Sequence, residues 1–156
     1  MKSTALNILL IAMIVLNSCS GSESKGPNNN TIIDQPDTVL FWTIDDNNKT
    51  KTRVFEDTIK ITDAKLVING INSIYPSVKL KWVRTSNDTV YAKIDSASTF
   101  TEDMGSFGAS EYIATVVVNL TTLDSINYVN LDFPPGSHAA PGTFSKANYK
   151  AYSEKK

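Results

Sequence analysis

The chain has 156 residues, 15 basic and 16 acidic, with one His and one Cys. The near-balance of charge excludes the basic footprint of a nucleic-acid binder. A single Cys excludes an internal disulfide, and one Cys with one His excludes a Cys/His zinc cluster.

Lys2 opens the chain with a positive charge. Residues 5–16 are apolar apart from Asn7 and are too short to span a bilayer, which takes roughly 20 residues. Small Ser18 then precedes Cys19. These parts make a signal peptide over residues 1–18. Leu16-Asn17-Ser18-Cys19 resembles the lipobox of bacterial lipoproteins, with Asn17 where the pattern has a small residue. The resemblance implies lipid on Cys19 and an extracytoplasmic, membrane-anchored protein. Ser20 after the Cys, in place of Asp, favours the outer over the inner membrane. Loss of residues 1–18, Lys2 among them, takes the formal charge from −1 to −2.

Residues 19–36 follow as a tether rich in Ser, Gly and Asn, unable to bury enough surface to order itself. Ile32 and Ile33 are its only strongly apolar residues, placed to dock on the domain. Residues 37–145 carry regular apolar content and form one domain. Residues 146–156 read as a polar, fraying tail.

Residues 38–44 are apolar and β-prone, as in a strand buried on both faces. Asp45-Asp46-Asn47-Asn48 is a turn cluster, and residues 51–61 supply an uncertain hairpin partner. This cluster lacks the alternating ligands and Gly of an EF-hand loop. Thr62 as N-cap and Asp63 in the first turn start a short helix that Gly70 stops. Val78, Leu80 and Trp82 alternate with Lys79 and Lys81, and Val90, Ala92 and Ile94 alternate again beyond a turn at residues 86–88. Together they predict an antiparallel hairpin with one buried face. Residues 99–108 read as a loop. A helix is expected from residue 108 or 109 to Leu123, and a last strand over residues 126–133 ends at Pro134-Pro135. The order is (β)βαββαβ: an α+β, two-layer domain with both helices on one face of a mixed sheet.

The succession Leu66-Val67-Ile68-Asn69-Gly70, Tyr75-Pro76, the hairpin, residues 95–100, Gly105-Ser106-Phe107-Gly108-Ala109-Ser110-Glu111, Asn119-Leu120-Thr121 and residues 126–131 resembles the GerMN domain. That family takes its name from sporulation and spore-germination proteins and occurs in exported lipoproteins. The family's Leu-Leu-Ala-Gly-Pro turn appears here without its Pro. The resemblance implies an interaction or assembly module in the envelope, with a protein partner and no catalytic residues.

His138 lies in a Gly/Pro-rich loop beside Ser137. No Gly-x-Ser-x-Gly elbow accompanies them, so a surface role outweighs a hydrolase. Glu102-Asp103 and Glu56-Asp57 read as solvated acids. Residues 105–108 read as helix-entry geometry, since a P-loop needs a Lys that is missing. The glycosylation sequons at Asn48, Asn87 and Asn119 read as accidental. Trp82, Tyr91 and His138 are the candidate ligand contacts, for cell-wall fragments or glycans, as the alternative function. Trp42 and Trp82 are otherwise core residues by size. No metal site, cofactor or enzymatic activity is expected.

Overall fold

Val90, Ala92 and Ile94 do what a period of two predicts. All three are buried, and Tyr91 and Lys93 between them face outward. They belong to β4 (Thr89–Ile94), which pairs antiparallel with β3 (Leu80–Ser86) through a turn holding Asn87 at a φ of 54°. Asn tolerates this left-handed backbone better than most side chains. The computed structural model describes residues 36–56 and 59–155. The signal peptide, Cys19, Ile32 and Ile33 lie outside the described residues.

β5 (Tyr128–Asp132) runs parallel to β4, and β6 (Gly142–Ser145) runs antiparallel to β5. The result is a mixed four-stranded sheet in the order β3-β4-β5-β6. Its inner face supplies Leu80, Val90, Ala92, Ile94, Val129 and Leu131 to the core. Helices α1 (Ala64–Ile74) and α2 (Gly105–Leu120) contribute to the same core, giving the expected α+β fold.

Helix α1 departs from expectation at both ends. Its N-cap is Asp63 rather than Thr62, and the Asp63 carboxylate accepts the Lys65 N–H at 2.8 Å. It runs through Gly70 to Ile74, where the Tyr75 N–H closes on the Ile71 carbonyl. Gly70 is there for close approach. A Cβ on it would stand 2.2 Å from the Val39 carbonyl oxygen.

Helix α2 begins at Gly105, whose φ is 66°, and ends at Leu120, so it lies about three residues upstream of its expected span. The segment expected as a loop before it contains a π-helical turn (Thr99–Asp103) that buries Phe100. The β-branched run Val116-Val117-Val118 survives in a helix because tertiary burial outweighs propensity. From Ala114 to Leu120 every residue is buried, the pattern of a helix covered on all sides.

The far side of α2 is covered by a second sheet that sequence reading did not anticipate. β1 (Trp42–Asp45) pairs antiparallel with β2 (Thr50–Arg53), and β2 pairs parallel with β7 (Ser153–Lys155). The first strand therefore does not join the large sheet. Its approach is held by α2, where Asn119 is fully buried. The Asn119 Oδ1 accepts the Phe41 and Trp42 N–H groups at 2.8 and 2.9 Å, and its Nδ2 donates to the Trp42 carbonyl at 3.0 Å. A side chain takes the backbone bonds that a strand ladder would have taken.

Residues 146–155 are also structured, correcting the fraying tail. A 3₁₀ turn (Lys146–Tyr149) leads to buried Tyr152 and then β7. Tyr152 donates to Asp46, which also receives Lys49 Nζ at 2.6 Å and Ser110 Oγ at 2.9 Å. Burial pushes the Asp46 carboxyl up, but these hydrogen bonds outweigh it and hold the group below its ordinary range. Burial and the Asp46 contact raise the Tyr152 phenol.

Candidate functional site

The four-stranded sheet has an open edge at β3, which pairs only with β4 among the described residues. After Leu80, all six residues of β3 are exposed. Helix α1 lies alongside and closes the start of the edge. Asn72 donates to the Leu80 carbonyl and accepts its N–H, both at 2.9 Å, in the manner of a neighbouring strand. Among the described residues, no strand pairs with the edge from Trp82 onward.

The register shifts between Trp82 and Arg84, so Val83 is the extra residue of a β-bulge and is 46% exposed. Trp82 pairs with inward-facing Ala92 and so points to the helix side, 37% exposed at the rim. Lys65 of α1 places its ammonium 4.5 Å from the Trp82 ring centroid, and the indole N–H donates to Thr85 Oγ1 at 3.2 Å. Between strand and helix runs a groove of about 450 Å³ with Ile68, Asn69 and Leu80 among its lining residues and Lys65, Lys81 and Trp82 at its borders.

Two cations, Lys65 and Lys81, border the groove. Lys81 and Lys93 both bind Asp95, at 2.5 and 2.9 Å, and their hydrogen bonds hold that carboxyl down to about 2. Arg84 stacks on Tyr91 with 3.5 Å between the guanidinium carbon and the ring centroid. Arg84 on β3 and Lys79 just before it are exposed.

Trp82 and Tyr91, the two aromatic candidates, do not converge. Tyr91 pairs with Arg84 on the outer face of the sheet, opposite to the face of Trp82. His138 belongs to a third place, the loop after β5. Its backbone N–H donates to the Thr101 carbonyl at 3.0 Å, and its Nδ1 lies 3.0 Å from Ser106 Oγ. Ser137 is turned away from it and donates both its hydroxyl and its N–H to Glu102, at 2.7 and 2.9 Å. Those bonds hold the Glu102 carboxyl below its ordinary range. Glu102 is therefore a loop anchor and not merely a solvated acid. No carboxylate is hydrogen-bonded to His138 among the described residues, so the orienting third member of a triad is missing there.

Among the described residues no group of three or more His, Cys, Asp or Glu could hold a metal ion, and no helix is long and apolar enough to cross a membrane. The open β3 edge had a partial signal in sequence, the Lys79/Lys81 alternation. The bulge and the Asn72 bridge had none. No family model, no curated protein and no solved structure matches this chain.

Proposed function

We propose that this chain is a lipid-anchored, non-enzymatic protein of the bacterial cell envelope. Its domain serves protein interaction or assembly, and it takes up an extended segment of another envelope protein along β3. The observation that carries this reading is the uncovered edge beside a groove. A strand added from Trp82 onward gains main-chain hydrogen bonds from β3 and places alternate side chains over the groove beside Trp82. Lys65 and Lys81 at the groove's borders favour an acidic segment. The lipobox-like residues at Cys19 and the GerMN-like order of elements support the location and the role.

Binding of cell-wall fragments or glycans is the second reading. Its support lies on the outer face of the sheet, where Tyr91 with Arg84 stacked on it and exposed Tyr128 on β5 present aromatic surface.

Photo-crosslinking in cells distinguishes them. A benzophenone amino acid at Val83 is expected to give one dominant protein adduct, and the same probe at exposed Thr143 on β6 none. Equal labelling at both positions, or none at Val83, would overturn the edge-binding proposal.

A further inference from the structure

The end of the domain built by its last residues holds a pocket remote in sequence from β3. It is a cavity of about 190 Å³ between the last turn of α2, β2 and the residues around the 3₁₀ turn. Lys51, Lys146 and Lys150 converge on it. Tyr149, Tyr152 and Val118 form its apolar walls, the two tyrosine rings lying 5.8 Å apart at a 42° tilt. The remaining lining groups are Thr121 and Thr122, whose hydroxyls donate to helix carbonyls at 2.7 and 2.9 Å.

No carboxylate lines the pocket. None of the three lysines makes an ion pair among the described residues. Lys51 instead rests its ammonium 4.2 Å from the Trp42 ring centroid. Two of the acids nearby are engaged elsewhere. Asp46 is held by Lys49, Ser110 and Tyr152, and Asp124, although within the field of Lys146, is bound by Lys60 at 2.7 Å. Glu154 stands opposite Lys51 in the β2–β7 register, on the same face of the small sheet; it is exposed and makes no ion pair with Lys51 among the described residues. Three lysines among the lining residues of one cavity, with no carboxylate beside them there, give it a positive field that favours an anion.

We infer that this pocket binds a small organic oxyanion, a sugar-sized ring bearing a phosphate or a carboxylate. The lysines take the anionic group as point charges, and the ring lies against Tyr149 and Val118. The volume is below the ~300–1,000 Å³ of sites for drug-sized ligands, so one ring with one anionic group is the scale of ligand that fits. The site is independent of the β3 edge and stands or falls apart from it.

The test is a ¹H–¹⁵N NMR titration of the mature chain carrying Cys19→Ser, at physiological salt. The probes are glucose 6-phosphate, glucuronate, inorganic phosphate and glucose. The expected result is saturable shifts confined to Lys51, residues 121–122 and residues 146–152 with one or both charged sugars, and none with glucose. A stronger response to glucose 6-phosphate identifies a phosphate ester, and a stronger response to glucuronate identifies a sugar acid. Lys146→Gln/Lys150→Gln should weaken binding about tenfold or more, since hydrogen bonds to charged groups are lost. Its amide spectrum outside the pocket reports whether it is folded, and Lys51→Gln serves if it is not. Absence of localised shifts with both charged sugars, equal shifts with glucose, or undiminished affinity in a folded lysine variant would overturn the proposal. Inorganic phosphate binding as tightly as glucose 6-phosphate would overturn the role of the ring.

Discussion

Asn119→Leu tests the joint between the two sheets. The asparagine is fully buried and uses all four of its hydrogen-bonding positions, three toward the backbone of Phe41 and Trp42 and one toward the Thr115 carbonyl. Leucine has nearly the same volume and none of the polarity. It would leave two N–H groups and one carbonyl without partners at positions 41 and 42, whose residues are 3% and 6% exposed. Three such groups at roughly 1.5–2 kcal/mol each cost about 5 kcal/mol. Burial of the leucine offsets about 2 kcal/mol, leaving a net loss of about 3 kcal/mol. With an m-value of roughly 2 kcal/mol/M in urea, the unfolding midpoint should fall by about 1.5 M. Hydrogen exchange supplies the local readout, since the Phe41 and Trp42 amides should lose protection before the β4 amides do. A midpoint within about 0.3 M of the parent, at unchanged m-value, would refute the anchoring role of Asn119.

Three further outcomes are expected. Gly70→Ala should lower the melting temperature although alanine gains about 1 kcal/mol of helix propensity, because the new Cβ meets the Val39 carbonyl; a rise in melting temperature would refute close packing there. Asp46 has a depressed folded pKa, so its contribution to stability is present above the unfolded value of about 3.9 and is lost as pH falls through the folded pKa. Asp46→Asn should therefore be less stable than the parent at pH 7, with the gap in urea midpoint narrowing by pH 3; a gap independent of pH would count against the carboxylate. Cys19→Ser should move the protein from the membrane to the soluble fraction of cell lysates, and unchanged fractionation would refute lipid anchoring through that residue.

Period-two alternation made β4 legible, because Val90, Ala92 and Ile94 report one buried face and nothing competes with that signal. The two helices were legible in kind but not in extent. Gly70 reads as a stop only when its neighbour across the fold, Val39, is unknown. Trp82 was expected in the core by size, yet β3 is an edge strand and its bulge leaves the ring half covered at the rim. The first strand was read into the large sheet from its apolar content, which cannot distinguish pairing with a strand from capping by a buried asparagine 77 residues away. Neither the Asp46–Tyr152 contact nor the three-lysine pocket leaves a local pattern, since each joins turns from opposite ends of the domain. His138 was placed correctly in a loop, but its contact with Ser106 depends on the π-helical turn that brings α2 beneath it.

The parallel pairing of Thr50 with Ser153 gives the small sheet an order in time. Its middle strand waits for a partner that follows β3 to β6 in the chain, across a loop whose closure is slow to form. A nascent chain that has not yet reached β7 therefore carries β1 and β2 without their third strand, and the buttress against α2 is completed only when β7 is added.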